Sequence, residues 1–153
     1  MTWEQGQDDV AAALRTGDLQ QVTGGQAAGD GWIADAQRKV ETAQAIADID
    51  PHTAYVTAYD AARFALVGVL AHQGLRATQR GGHVAVERAV RAQFGALFVD
   101  FGTLRRRRAE LEYPSYPGVE VRSSEVVEAL NAAAHIIDNA VKLLPHLTIY
   151  TAP

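Results

Sequence analysis

A chain of 153 residues with 48% apolar and 7% aromatic side chains is long enough for one domain that buries about two-thirds of its unfolded surface, and too apolar for a disordered tail. The absence of cysteine excludes disulfides and thiolate metal sites and fits a reducing, cytoplasmic setting. No basic segment precedes an apolar run in MTWEQGQDDV, and no apolar run approaches the roughly 20 residues of a bilayer span, so a soluble protein without a secretory signal or a membrane is expected.

The net charge of −4 is unevenly spread. Residues 1–74 carry four basic and ten acidic side chains, whereas residues 75–122 carry nine arginines against five acids. Arginine offers planar, bidentate recognition of phosphate or carboxylate. A basic patch can therefore hold an anionic ligand on an acidic protein, and a solvated arginine-rich face fits the same charge.

Taken in chain order, the predicted elements are helices. Thr2-x-x-Gln5 forms a capping box for a first helix to about Arg15, with Gly17 as its stop. Residues 16–31 hold five glycines and no periodic pattern, which reads as a loop. Ile33, Ala36, Val40, Ala43 and Ala47 mark a second helix from about Gly31 to Asp48. Asp50-Pro51 is a start signal for a third helix, with Tyr55, Tyr59, Ala62, Leu66, Val69 and Leu70 as its stripe and Gly74 at its end. After the connector GLRATQRGG, a fourth helix begins at His83 and carries Val86, Val90 and Phe94 up to Gly95. A fifth covers about Leu97–Glu112, stopped by Pro114 and Pro117. Ser123 or Ser124 caps a last helix whose stripe is Val126, Leu130, Ala133, Ile137, Val141 and Leu144, and residues 146–153 form an extended tail. No strand or internal repeat stands out. The expected fold class is all-α, an up-and-down bundle of five to six helices in a single domain, with N-terminal helices in residues 1–50 and a core of 51–145.

The fifth helix contains LRRRRAELEYP, residues 104–114. Positions three or four apart share a helix face, so one arginine of the four can point into a groove while the others stay solvated. Glu110 and Glu112 lie within reach of Arg106, Arg107 and Arg108 for ordinary surface ion pairs. Of the five histidines, none is spaced to make a metal site. His83 is set apart by its place after Gly81-Gly82, near Arg76 and Arg80, whereas His135 sits among alanines as a packing residue. Neither GGQAAGDG nor RGGH follows a strand or holds a phosphate-loop lysine, so no nucleotide loop and no cofactor are expected.

The succession AYDAARFALVGVLAHQGL, GGHVAVERAV and LRRRRAELEYP resembles the HEPN domain, a superfamily of small helical bundles associated with nucleotides and RNA. The resemblance matches His83 to a histidine at the start of the helix after a basic loop, and Arg108 to a signature arginine. In ribonuclease members that arginine binds phosphate, and a histidine four to six residues further on serves in metal-independent RNA cleavage, across a homodimer. Here four residues separate Arg108 from Tyr113, and the histidine is absent. This is similar to HEPN branches that end the helix in an acidic residue and tyrosine. Tyrosine, with an ordinary pKa near about 10, is a poor base at neutral pH.

The resemblance implies Arg108, Tyr113 and His83 as the catalytic set, and Arg76, Arg80, Arg105, Arg106 and Arg107 as nucleic-acid contacts. Three functions stay open: a homodimer binding RNA, nucleotide or an acidic partner without strong nuclease activity; a toxin-type endoribonuclease; or the interaction half of a toxin–antitoxin pair with a nucleotidyltransferase partner.

Overall fold

The computed structural model describes residues 4–152. Six α-helices account for most of them: α1 (Gln7–Thr16), α2 (Asp30–Ile46), α3 (Pro51–His72), α4 (Gly82–Phe94), α5 (Phe101–Glu112) and α6 (Ser123–Leu143). The chain is an all-α bundle, as its periodicities require. The proposed cap at Thr2 lies outside the described residues.

The hydrophobic centre is α3, whose Tyr55, Tyr59, Leu66, Val69 and Leu70 are all buried. Asp50 caps it through the Thr53 N–H at 3.1 Å, and Pro51 occupies the first turn. Alanines at 54, 58, 61, 62 and 65 leave room for neighbours on several sides, so α2 and α6 pack closely on it, with α5 and α4 completing the ring. At the α2–α3 crossing, Gly29 faces Gly68: a Cβ on Gly29 would collide with the Gly68 carbonyl, and one on Gly68 would meet Trp32 Cβ at 3.0 Å. Val10, Leu19, Ile33, Ala36 and Ala43 belong to the same buried cluster as α3 and α6, so residues before 50 are part of the core.

Several expectations are corrected. Residues 16–31 are not simply a loop. Leu19–Gln21 (β1) pairs antiparallel with Leu75–Ala77 (β2), in register Leu19↔Ala77 and Gln21↔Leu75, and Gly24–Ala27 makes a 3-10 turn. Segments of three residues carry too few positions for a period-two signal. The tail docks beside this ribbon: the Tyr150 N–H donates to Gln73 O at 2.8 Å, and Tyr150 is buried.

The fifth helix starts at Phe101 rather than Leu97, because Gly95 at φ 57° breaks the chain and Gly95–Phe98 is a 3-10 turn. Neither serine caps α6; the Glu125 carboxylate instead accepts the Arg122 N–H at 2.9 Å. Val141 of the expected stripe is exposed, while Val126, Ala133 and Ile137 are buried. His135 does not pack inside: it is exposed and meets Asp100 at 3.2 Å. Finally, α3 does have the length and composition of a bilayer span, with mean hydropathy 1.2, though 67% of that window is buried within the bundle.

Candidate functional site

Successive residues on a helix turn by about 100°, and α5 uses that rotation to send its four arginines to different neighbours. Arg105 reaches α4, where its Nε lies 2.6 Å from Glu87 Oε2. Arg106 stays exposed, with Thr103 as its hydrogen-bond acceptor at 3.3 Å. Arg107 turns to α6 and is held by Glu110 at 2.8 Å, the Glu120 carbonyl at 3.0 Å and Glu125 at 3.3 Å. Arg108 turns inward over the Tyr59 ring, 5.1 Å from its centroid, and pairs with Glu112 at 2.6 Å. Leu104 and Leu111 anchor the helix in the core beneath them.

Tyr59 organises the site. Its ring stacks on Phe101 with centroids 5.4 Å apart, and its hydroxyl shares a 3.1 Å hydrogen bond with His83 Nδ1. His83 reaches it because the Gly81-Gly82 pair fits a tight approach to the ribbon. A Cβ on Gly81 would collide with the Asp18 carbonyl, and Gly82 adopts φ 55°. Thr78 fixes the same corner, donating to Gly17 O at 2.5 Å and accepting the Gly81 N–H at 3.1 Å. One turn beyond Tyr59 on α3, Arg63 lies 3.6 Å from Asp60.

These neighbours set the protonation states. Burial pushes the Tyr59 hydroxyl above its ordinary value, with Asp60 and Glu87 adding to the effect and Arg108 and Arg63 opposing it. Tyr59 therefore keeps its proton at neutral pH. Partial burial, then the charges of Arg63 and Arg108, lower His83 against the opposing pull of Asp60 and Glu112. A neutral imidazole next to two guanidiniums can take a proton beside a bound anion, and can give one only after it has been protonated. Which Nε2 role it plays depends on the tautomer at the Tyr59 bond. The Nε–H of Arg108 is buried and has no acceptor among the described residues.

The sequence-derived set divides on this geometry. Arg108 and His83 come together, although they lie on separate helices. Tyr113 does not join them: it sits past the end of α5, 79% exposed. Arg76 and Arg80 lie on the ribbon side, engaged with Gln26 at 3.2 Å and Asp18 at 3.1 Å. Arg105 and Arg106 flank the site, whereas Arg107 faces α6 and an acidic cleft. Sequence reading missed Asp60, Arg63 and Glu87 and took Tyr59 for core only. The available signal was a charged pair, Asp60 and Arg63, set in the middle of the most apolar helix.

The remaining histidines serve elsewhere. His72 Nδ1 accepts the Gly29 N–H at 3.2 Å, and His52 Nε2 lies 3.2 Å from the Leu111 carbonyl. No group of three metal-capable side chains forms among the described residues. No family model matches the sequence, and neither a curated protein nor a solved structure is significantly similar to the chain.

Proposed function

We propose that this chain is a HEPN-type helical bundle that binds a phosphate-bearing ligand, RNA or nucleotide, at the Tyr59–His83–Arg108 cluster, without strong nuclease activity. The observation that carries the reading is the convergence of His83 and Arg108 on one buried tyrosine, the two residues the resemblance picks out independently of any geometry. Arg63 adds a second guanidinium, whose charge is felt at His83. Arginine pairs bind phosphate through charge-assisted, often bidentate hydrogen bonds. Tyr113 is exposed past the end of α5, so on this reading it is not the base that the missing motif histidine would have been.

A second reading, the metal-independent ribonuclease, is favoured by one feature: His83 is a neutral imidazole beside the candidate phosphate site. It would take the proton of a 2′-hydroxyl as that oxygen bonds to the adjacent phosphorus and the P–O5′ bond breaks, the departing 5′-oxygen being protonated by the resulting imidazolium or by water, while Arg108 holds the phosphate. The homodimer belongs to the proposal too, but the α6 stripe that motivated it is largely buried inside the chain. Light scattering tests it directly.

The discriminating experiment is metal-free incubation with labelled, mixed-sequence RNA, followed by both cleavage and binding across a salt series. Binding that weakens by roughly 0.7 log units per log unit of salt for each phosphate neutralised, and that disappears in Arg108→Ala, supports the binding reading. Cleavage lost in both His83→Ala and Arg108→Ala shifts the assignment to ribonuclease. Binding unaffected by Arg108→Ala refutes the site.

A further inference from the structure

One turn along α4 from His83, a second group of arginines gathers. Glu87, whose side chain is only 12% exposed, receives Arg91 at 3.1 Å from its own helix and Arg105 at 2.6 Å from α5. Gly102 forms the floor of this meeting point. A Cβ there would lie 3.4 Å from Arg106 Nη1, 3.8 Å from Arg91 Nη2 and 4.0 Å from Glu87 Oε1. Three guanidiniums therefore converge around one carboxylate, on a chain whose net charge is −4. Among the described residues Glu87 alone pairs with this group, and Arg106 is in no ion pair.

Immediately beside them is a cleft of about 260 Å³, walled by Val90, Phe98, Val99 and Phe101, with Glu87 and Arg91 at its rim. Val99 is 64% exposed although its side is apolar. The volume falls below the roughly 300–1,000 Å³ of a whole small-ligand pocket, which fits a single planar ring system. The cleft adjoins the first site: Phe101 of its wall stacks on Tyr59, and the charge of Glu87 is felt at the Tyr59 hydroxyl.

We propose that the α4–α5 seam is a second subsite, taking a nucleotide unit three to four along the strand from the one bound at Arg108. Its phosphate sits on Arg91 and Arg106 above Gly102, and its ring enters the Phe98–Phe101 cleft. This rests on the phosphate-binding reading of the first site. His83 and Arg91 are eight residues apart on α4, about 12 Å along the axis, against a rise of about 3.4 Å per stacked nucleotide. The seam therefore spans three to four units, and the ligand class is a short single-stranded oligonucleotide rather than a mononucleotide. Phosphate and ring faces are common to ribo- and deoxyribonucleotides, and the subsite reads only those.

The test is fluorescence anisotropy with the full chain, using labelled mono-, di- and tetranucleotides of ribose and deoxyribose type at two salt concentrations. Wild type should gain about tenfold or more in affinity from mono- to tetranucleotide. Arg91→Ala/Arg106→Ala should lose that gain while binding the mononucleotide as before, and its salt slope for the tetramer should fall by roughly 0.7 for the phosphate lost. Glu87→Gln should raise tetramer affinity, a direction that mere unfolding cannot produce.

A length gain that survives the double substitution, or one confined to ribose, overturns the second subsite and leaves the first intact. Loss of all binding in Arg108→Ala, with the length gain lost in the double variant, supports both. A tetramer that ignores Arg108→Ala but depends on Arg91 and Arg106 keeps the seam and refutes the first site. Failure of every nucleotide to bind overturns both.

Discussion

Arg108→Ala bears on stability and function together, and its stability effect follows from the contacts of the side chain. The ion pair with Glu112 spans one helical turn, with side chains 22% and 32% exposed, and is worth about 0.3–0.5 kcal/mol. The guanidinium lies over a tyrosine ring that is 1% exposed, at 5.1 Å. That places the cation–π contribution at about 1 kcal/mol, between the exposed and desolvated limits. Alanine returns a few tenths through its higher helix propensity, against the packing lost with the partly buried arginine stem. The sum is a loss of about 1–2 kcal/mol, so the change is not neutral, as a freely solvated surface arginine would be.

Urea unfolding followed by far-UV circular dichroism measures the loss, as a midpoint lowered by about 0.5–1 M for a typical slope. A native state worth about 5–15 kcal/mol stays folded after that loss, so vanished ligand binding in the same variant reports on the site. A change under about 0.3 kcal/mol would refute the stacking of Arg108 on Tyr59. A loss above about 4 kcal/mol would make the residue a structural keystone and disqualify it as a binding group.

Three further outcomes are expected. His83 is held below its ordinary value of about 6.5, so the unfolded chain binds its proton more readily. Stability should then fall as pH drops through about 6.5, and denaturation of His83→Gln at pH 8 and pH 5.5 should show a smaller difference than wild type. Gln73 and Gln93 exchange two buried hydrogen bonds, at 2.6 and 3.1 Å. Gln73→Leu should cost about 2–3 kcal/mol by leaving an amide unpaired, whereas Gln73→Leu/Gln93→Leu should recover most of it in the same unfolding assay. Gly29→Ala should separate α2 from α3 and cost about 2 kcal/mol or more, seen as a lower melting temperature; unchanged melting would refute the close crossing.

Much of the fold was legible because the signals were local. Asp50-Pro51 begins α3 where a cap and a φ-locked proline should, and Gly17, Gly74 and Gly95 end helices or redirect the chain with positive φ values. Long apolar periodicities in α2, α3 and α6 repeat often enough to outweigh their exceptions. The three-residue strands and the docked tail were not legible, because their partners, Leu75 for Gln21 and Gln73 for Tyr150, lie far away in the chain. Gly29 looked like loop flexibility and is in fact a contact point between helices.

The site divides in the same way. Residue chemistry alone singled out the arginine run and His83 after a glycine pair, and the family resemblance matched Arg108 within that run to its signature arginine. Sequence could not rank the four arginines, whose roles depend on which neighbour each 100° step faces. Packing sent Arg105 to Glu87, Arg107 to Glu125 and Arg108 to Tyr59, and left Tyr113 in solvent. The sequence by itself determined the helices and the supply of arginine, because capping, periodicity and charge are properties of neighbouring residues. Only the tertiary structure decided that Tyr59, His83 and Arg108 meet, because the contact spans three helices and depends on how each one is rotated in the bundle.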